Sequence, residues 1–346
     1  MNKDKILVTG AGWEVGSVSN KIIMKLRAEG INVRGFLRKG NKFAPELEKI
    51  GAEVYEGDLF NLEDLRKALN GVNKVYFSMS LNPYYTDACA LLIEACRQQG
   101  HIEHFVNISD YELNYMTYEN MSSSEETKTK VLGPYIKDWS PQERAHFICE
   151  KMLEQSGLNV TNIRSTMFVE NPIISMLPLK GLSEGKLLLP FKDKRVPLIT
   201  SYDLADAISI ILMNTKKYGG QIITLTGKKL LNGNDIAEGF SIVLGKKIEY
   251  IPVELDTWTE KFISFIKEHR DSHTAIHLDT ISRMVAGGFY DKDLTPTLRE
   301  ILGREPQDFY ESLKKNPKVM NFTSSQWIYD SLKIKYYIKW KKNLVN

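Results

Sequence analysis

Residues 5–16 read Lys5-Ile6-Leu7-Val8-Thr9-Gly10-Ala11-Gly12-Trp13-Glu14-Val15-Gly16. A short apolar run ends at Thr9, and glycines follow at 10, 12 and 16. A helical pattern of apolar residues then opens at Val15, Val18, Ile22, Ile23 and Leu26. In order, these are a buried strand, a glycine turn and the start of a helix. The free N–H groups and positive dipole end of such a helix attract an anion. Glycine lets the backbone approach that anion closely. The arrangement suits the pyrophosphate of a dinucleotide.

The rhythm continues to about residue 165. Strands are predicted at 5–9, 31–37, 52–56, 73–78, 103–108 and 159–163, with helices at 15–29, 43–50, 61–70, 84–99 and 141–156 between them. Gly30, Gly51, Gly71, Gly100 and Gly157 each follow a predicted helix, where a left-handed residue ends the last turn. Alternation of this kind predicts an α/β fold, a Rossmann-type doubly wound parallel sheet. Residues 1–165 are its nucleotide-binding domain, interrupted by a lid-like insertion at 110–140 that carries Tyr111, Tyr115 and Tyr118. Spacings of four and three would set those tyrosines on one helical face. Residues 166–320 read as a smaller, interleaved α+β portion on the substrate side. Its helices are predicted near 201–214, 232–244, 255–267 and 271–285, and its short apolar runs lie at 221–225 and 247–251.

Composition narrows the function classes. The chain has 346 residues, 42% hydrophobic and 26% charged, enough for a large core and incompatible with wholesale disorder. A net charge of +3 is too small to point to nucleic acid. No apolar run is long enough for a membrane span. The chain enters a strand at once, without a secretory leader, and carries three cysteines with no CxxC pair, so a cytoplasmic location is expected. Cys89 and Cys96, seven apart, read as buried small hydrophobes on one helical face.

The end of the second strand reads Phe36-Leu37-Arg38-Lys39, with Lys42 close behind and no acid. A site for NAD usually places a carboxylate there, on the ribose hydroxyls. Arg38 can instead grip a 2′-phosphate with two parallel hydrogen bonds, and Lys39 and Lys42 add charge. NADP(H) is therefore expected in preference to NAD(H). In the glycine loop, Thr9, Gly10, Gly12, Trp13, Glu14, Val15 and Gly16 are the expected pyrophosphate contacts. The opposing reading is that Trp13 fills the phosphate site and no cofactor binds.

Several short motifs in order resemble the NmrA-like family, a group of atypical short-chain dehydrogenases/reductases. They are the Thr-Gly loop, Gly57-Asp58-Leu59, Ala68-Leu69-Asn70-Gly71-Val72, Ile163-Arg164 with Phe168-Val169-Glu170-Asn171, Asp203-Leu204-Ala205-Asp206, and Leu294-Thr295-Pro296 with Leu302-Gly303-Arg304-Glu305-Pro306. The likeness spans roughly residues 3–320. It implies NAD(P)(H) binding, with some members acting as reductases and others as redox-sensing regulators. It places Asp58 and Leu59 beside the adenine, although Asp58 would equally cap the next helix. Ser78 and Met79 follow the fourth strand on the cofactor side. Tyr84, Tyr111, Tyr115, Phe168 and Asn171 are the expected substrate contacts. The loop of the family usually has glycine where this chain has Trp13. Ordinary members of the superfamily use Ser and Tyr-x-x-x-Lys. By resemblance, Ser109 takes the serine place, His146 the tyrosine place and Glu150 the lysine place. A histidine can donate a proton near neutral pH and a carboxylate can orient it.

His269, His273 and His277, spaced four and four, would line one helical face, but no further ligand completes a site and no metal is expected. Residues 321–346 form a basic, aromatic extension. Leu332, Ile334, Tyr336, Ile338 and Trp340 alternate there with lysines and Tyr337, a strand pattern expected to pair within the chain, across a homodimer or with a protein partner. Together these features predict an NADP(H)-dependent reductase of a small apolar or aromatic organic substrate. The alternatives are an NADP(H)-binding redox sensor without turnover and a cofactor-free isomerase or cyclase.

Overall fold

The computed structural model describes residues 4–12, 18–175, 177–269, 271–292, 294–316 and 319. Trp13, Glu14, Val15 and Gly16 of the glycine loop, and the 321–346 extension, lie outside the described residues.

The strands are β1 (Lys5–Val8), β2 (Asn32–Leu37), β3 (Glu53–Glu56), β4 (Lys74–Phe77), β5 (His104–Asp110), β6 (Val160–Ser165), β7 (Lys186–Leu189), β8 (Ile222–Leu225) and β9 (Glu249–Pro252). The first four helices are α1 (Val18–Ala28), α2 (Ala44–Lys49), α3 (Leu62–Ala68) and α4 (Tyr85–Gln99). Seven strands form one parallel sheet in the order β3-β2-β1-β4-β5-β6-β8. The order reverses between β1 and β4, and in such sheets ligands bind outside the carboxyl ends of the strands at that point.

The sheet is buried on both faces because its strands are apolar at successive positions. Ile6 and Val8 of β1 pack with Ile22, Ile23 and Leu26 of α1 and with Leu204 and Ile208 of the helix Ser201–Met213. Leu7 faces the other way and joins Val75, Phe77, Leu65 of α3 and Leu92 of α4. Each such side chain, fully buried, stabilises the fold by about 1.5–3 kcal/mol. A third apolar cluster gathers the segment after β5 with the C-terminal half of the chain.

The C-terminal half contributes strands to both sheets. Its apolar run at 221–225 becomes β8, the seventh strand of the main sheet, beside β6. The run at 247–251 becomes β9, which pairs with β7 in a two-stranded sheet. The insertion folds as a 3-10 turn, Tyr111–Tyr115, and two short helices, Tyr118–Ser122 and Glu125–Leu132. The breaks between them rotate Tyr118 away. Tyr111 and Tyr115 meet through their hydroxyls at 3.2 Å, while Tyr118 packs edge-on against Phe147. The three tyrosines therefore do not share one helical face. Among the described residues, no helix is long and apolar enough to cross a membrane.

Gly10 has a backbone φ of +73°, and a Cβ there would stand 2.6 Å from the Ser78 carbonyl oxygen. Both strain and collision oppose any side chain. Gly12 has ordinary φ, and its Cβ would meet only the flexible Asn41 amide. Gly10→Ala is expected to cost about 1–3 kcal/mol, and Gly12→Ala clearly less. Urea denaturation of both variants checks the order; equal losses would show that Gly10 carries no special strain.

Candidate functional site

Thr9 closes the cofactor end of the sheet. Its N–H donates to Tyr76 O at 3.1 Å, its hydroxyl donates to Ser78 O at 2.8 Å, and Ser78 N donates back to the Thr9 hydroxyl at 2.9 Å. These bonds tie β1 to β4 where the strand order reverses, with Gly10 turning directly after. Met79 and Ser78 are half-buried at the same edge.

The basic turn after β2 stands beside this loop. Arg38, Lys39 and Lys42 are exposed; Asn41 N donates to Arg38 O at 3.1 Å and closes the turn. Asn41 Nδ2 donates to Gly12 O at 3.3 Å, joining the turn to the glycine loop. Lys42 lies 5.4 Å over its neighbour Phe43. One group here escapes a reading of β2 alone. Glu56, at the end of β3, accepts the Gly40 N–H at 3.1 Å. The helix after Asp58 is capped by Asn61, whose side chain accepts from Glu63 N and Asp64 N. Asp58 makes a local turn instead, accepting from Phe60 N, and so is not the cap. Leu59 is half-buried against the α3 side of the core.

At the carboxyl end of β5, His146 Nδ1 stands 3.1 Å from Asp110 Oδ2. His146 lies on the helix Pro141–Gln155, and the Tyr85 ring packs 4.5 Å from its imidazole. Burial disfavours the imidazolium, but the Asp110 carboxylate outweighs burial and raises the His146 pKa. Burial likewise opposes ionisation of Asp110, and His146 reverses it, lowering the Asp110 pKa. The ion pair is thus maintained by its own attraction in a dry setting. Asp110 keeps 24% of its side chain exposed, so the pair borders solvent.

Glu150 does not orient His146. It is fully buried and holds Arg164, whose Nη2 donates to Glu150 Oε2 at 2.6 Å. Four-residue spacing puts both on one helix, but Arg164 from β6 claims the carboxylate. Asp110, adjacent to Ser109, is the acid that meets His146; its charge at a strand's end was the signal in the sequence. Ser109 is buried beside Asp110, and its hydroxyl has no hydrogen-bond partner among the described residues.

Behind the pair lies a second, buried layer of acids. Glu143 caps its own helix: Ser140 N donates to its Oε2 at 2.6 Å. Burial, aided by the nearby Asp110 charge, pushes its pKa up to about 8. Glu112, also buried, is raised well above the usual carboxylate range by burial and by Asp110 and Glu143, and it accepts a hydrogen bond from Tyr290. Both shifts favour the protonated acid.

The three spaced histidines do not form a line. The helix breaks before Asp271, which caps the helix Ser272–Ala286 by accepting from Thr274 N at 2.7 Å. His269 falls on the preceding helix. His277 Nδ1 lies 3.0 Å from Ser140 Oγ, and burial lowers its pKa to about 4. His273 Nε2 lies 2.7 Å from Gln142 Oε1. His273 and His277 are thus engaged in holding the 141–155 helix.

Of the expected substrate contacts, Tyr111 and Tyr115 gather near the pair. The Tyr115 ring meets Phe289 at 5.2 Å, and Lys292 lies 3.5 Å over it. Tyr84 is exposed and edge-on to Phe60. Phe168 packs on the α1 side of the core, and Asn171 accepts from Ile173 N at 2.9 Å, starting a short helix.

A Rossmann sheet with a Thr-Gly loop at the switch point and a His–Asp pair at the end of β5 defines an atypical relative of the short-chain dehydrogenases/reductases. The NmrA-like family model matches residues 2–297, and the chain belongs to that family. It is 24% identical over 253 residues to an NAD(P)H azoreductase of Xenophilus azovorans, covering 72% of this chain and 78% of that protein. Its fold matches the Citrobacter triphenylmethane reductase solved with NADP(H), at 18% identity and a TM-score of 0.69, covering 90% of this chain and 99% of that one. It also matches NmrA, a negative transcriptional regulator solved with NADP, at 19% identity and a TM-score of 0.66, covering 94% of this chain and all of that one.

The raised Glu143 pKa has a signed consequence. Between its ordinary value of 4.5 and about 8, the folded state holds a proton that the unfolded state releases, so this group's contribution falls as pH rises and is flat above 8. Glu143→Gln keeps the cap and removes that loss. Its stability relative to the parent is expected to rise by a few kcal/mol from pH 5 to 8. Denaturant titrations at several pH values check this; a pH-independent difference would mean Glu143 titrates normally.

Proposed function

We propose that the protein is an NADP(H)-dependent reductase of small aromatic or apolar electron acceptors. The observation that carries this reading is the His146–Asp110 ion pair, largely buried but bordering solvent at the end of β5, where Tyr111 follows Asp110 and meets Tyr115. The NAD(P)H azoreductase and the triphenylmethane reductase among its relatives support it.

The residues at the switch point fit a dinucleotide. Gly10 leaves no room for a side chain beside Ser78, as a tight phosphate-binding turn requires. Gly10 and Gly12 would face the pyrophosphate, and Arg38 and Lys39 the 2′-phosphate. The bound cofactor would supply the hydride. This chain's part is to hold the acceptor and supply the proton. Tyr115, partly exposed over the buried Tyr111 and Phe289, would offer aromatic surface to a planar molecule. Asp110, by raising the His146 pKa, favours the imidazolium, and His146 would donate the proton that neutralises the reduced acceptor. Glu150, tied to Arg164, performs none of the work of the lysine in ordinary members.

Two measurements test the reading. In calorimetric titrations, NADPH is expected to bind more tightly than NADH, and Arg38→Ala to weaken NADPH by about tenfold to a hundredfold. Equal affinities with an unaffected variant would remove the phosphate assignment. In a turnover screen with quinones and azo dyes, His146→Ala is expected to lower the rate by about 10²–10⁴-fold. NADPH binding without consumption of any acceptor would favour the redox-sensing role; no binding at all would favour the cofactor-free one.

A further inference from the structure

The basic turn that would receive the 2′-phosphate carries a counter-charge from a neighbouring strand. In the β2–β3 register, Leu37 stands opposite Glu56, so Glu56 lies at the strand end where the Arg38–Asn41 turn begins. Gly57 N donates to Leu37 O at 2.8 Å and locks that register to its end. From there the Glu56 carboxylate accepts the Gly40 N–H at 3.1 Å. Gly40 has φ +72° and open space around it, so this N–H is presented by the turn itself. Backbone N–H groups in such turns are donors suited to phosphate oxygens. Here the donor is already taken, and by an anion.

The turn is also fixed on its other side. Asn41 Oδ1 accepts from Phe43 N at 3.0 Å while its amide nitrogen reaches Gly12 O. The turn is therefore held between the glycine loop and β3, with the Glu56 carboxylate bound to its backbone at Gly40, one residue from Lys39 and two from Arg38. A carboxylate in that place repels a phosphate dianion and leaves an uncharged ribose hydroxyl almost unaffected.

We propose that Glu56 is a specificity-determining residue that restrains the preference for the phosphorylated cofactor, leaving NAD(H) usable. This rests on the dinucleotide reading above and refines it. Two cations favour the phosphate, and one anion, occupying the Gly40 donor, opposes it. The preference is a difference between these terms.

The test is Glu56→Gln, which keeps an oxygen for the Gly40 N–H and removes only the charge. The probes are NADPH and NADH, with the fragments adenosine 2′,5′-bisphosphate and 5′-AMP. For an exposed, solvent-screened charge, NADPH and the bisphosphate are expected to bind about threefold to tenfold more tightly in the variant. NADH and 5′-AMP should be unchanged, and the gain should shrink in high salt. Unchanged affinity for all four would overturn the inference while leaving the cofactor reading intact. Equal tightening of all four would also overturn it, because the charge would then act on the whole anion rather than on the 2′ position. If the parent protein binds none of the four, the dinucleotide reading fails and this inference with it.

Discussion

The Thr9 hydroxyl is the joint on which the site depends. It donates to Ser78 O and accepts from Ser78 N, so the ends of β1 and β4 are held together where the sheet order reverses. A parallel sheet buried on both faces aims all its strand ends one way. The loops after β1, β2, β4 and β5 therefore open on a single edge. Gly10 turns there because its carbonyl neighbour on β4 leaves no room for a side chain. The basic turn, the glycine loop and the His146–Asp110 pair are separate in sequence and adjacent only through this edge.

Electrostatics then divides the carboxylates into different roles. Asp110 ionises because His146 stands beside it and solvent touches it. Glu112 and Glu143, more deeply buried and near the Asp110 charge, have raised pKa values, since buried like charges resist ionising together. Glu150 is paired with Arg164. Losing one partner of such a buried pair costs about 3–5 kcal/mol, so Glu150 and Arg164 hold each other and the 141–155 helix against β6. In ordinary members of the superfamily a lysine occupies the Glu150 place. Here that place is taken by the buried Glu150–Arg164 pair, and His146 meets an acid from β5 instead.

Much of the fold is legible in the sequence because it is set by local pattern. The apolar run 6–8, the helical spacing after it and the glycines behind each helix place the strands and helices within a residue or two of where they lie. The family motifs, in order along the chain, carry the same message. The readings that fail are those that extend a local period across an unmarked break. Tyr118 parts from Tyr111 and Tyr115 because the chain turns at Met116–Thr117, and His269 lies on a different helix from His273 and His277. Asp58 yields its capping role to Asn61 because only Asn61 stands at the first helical turn with its amide oxygen free to accept.

The sequence by itself determined the sheet, the glycine turn, the basic end of β2 and the presence of His146 on a helix facing β5. It could not determine which charges meet. Helical spacing offered Glu150 to His146, but Arg164, fourteen residues beyond Glu150, takes it, and Asp110 arrives from another strand. The end of β2 contains no acid, yet β3 places Glu56 against it. Periodicity specifies which face a residue occupies. Charge pairing depends on distances between elements, and those exist only once the sheet has assembled.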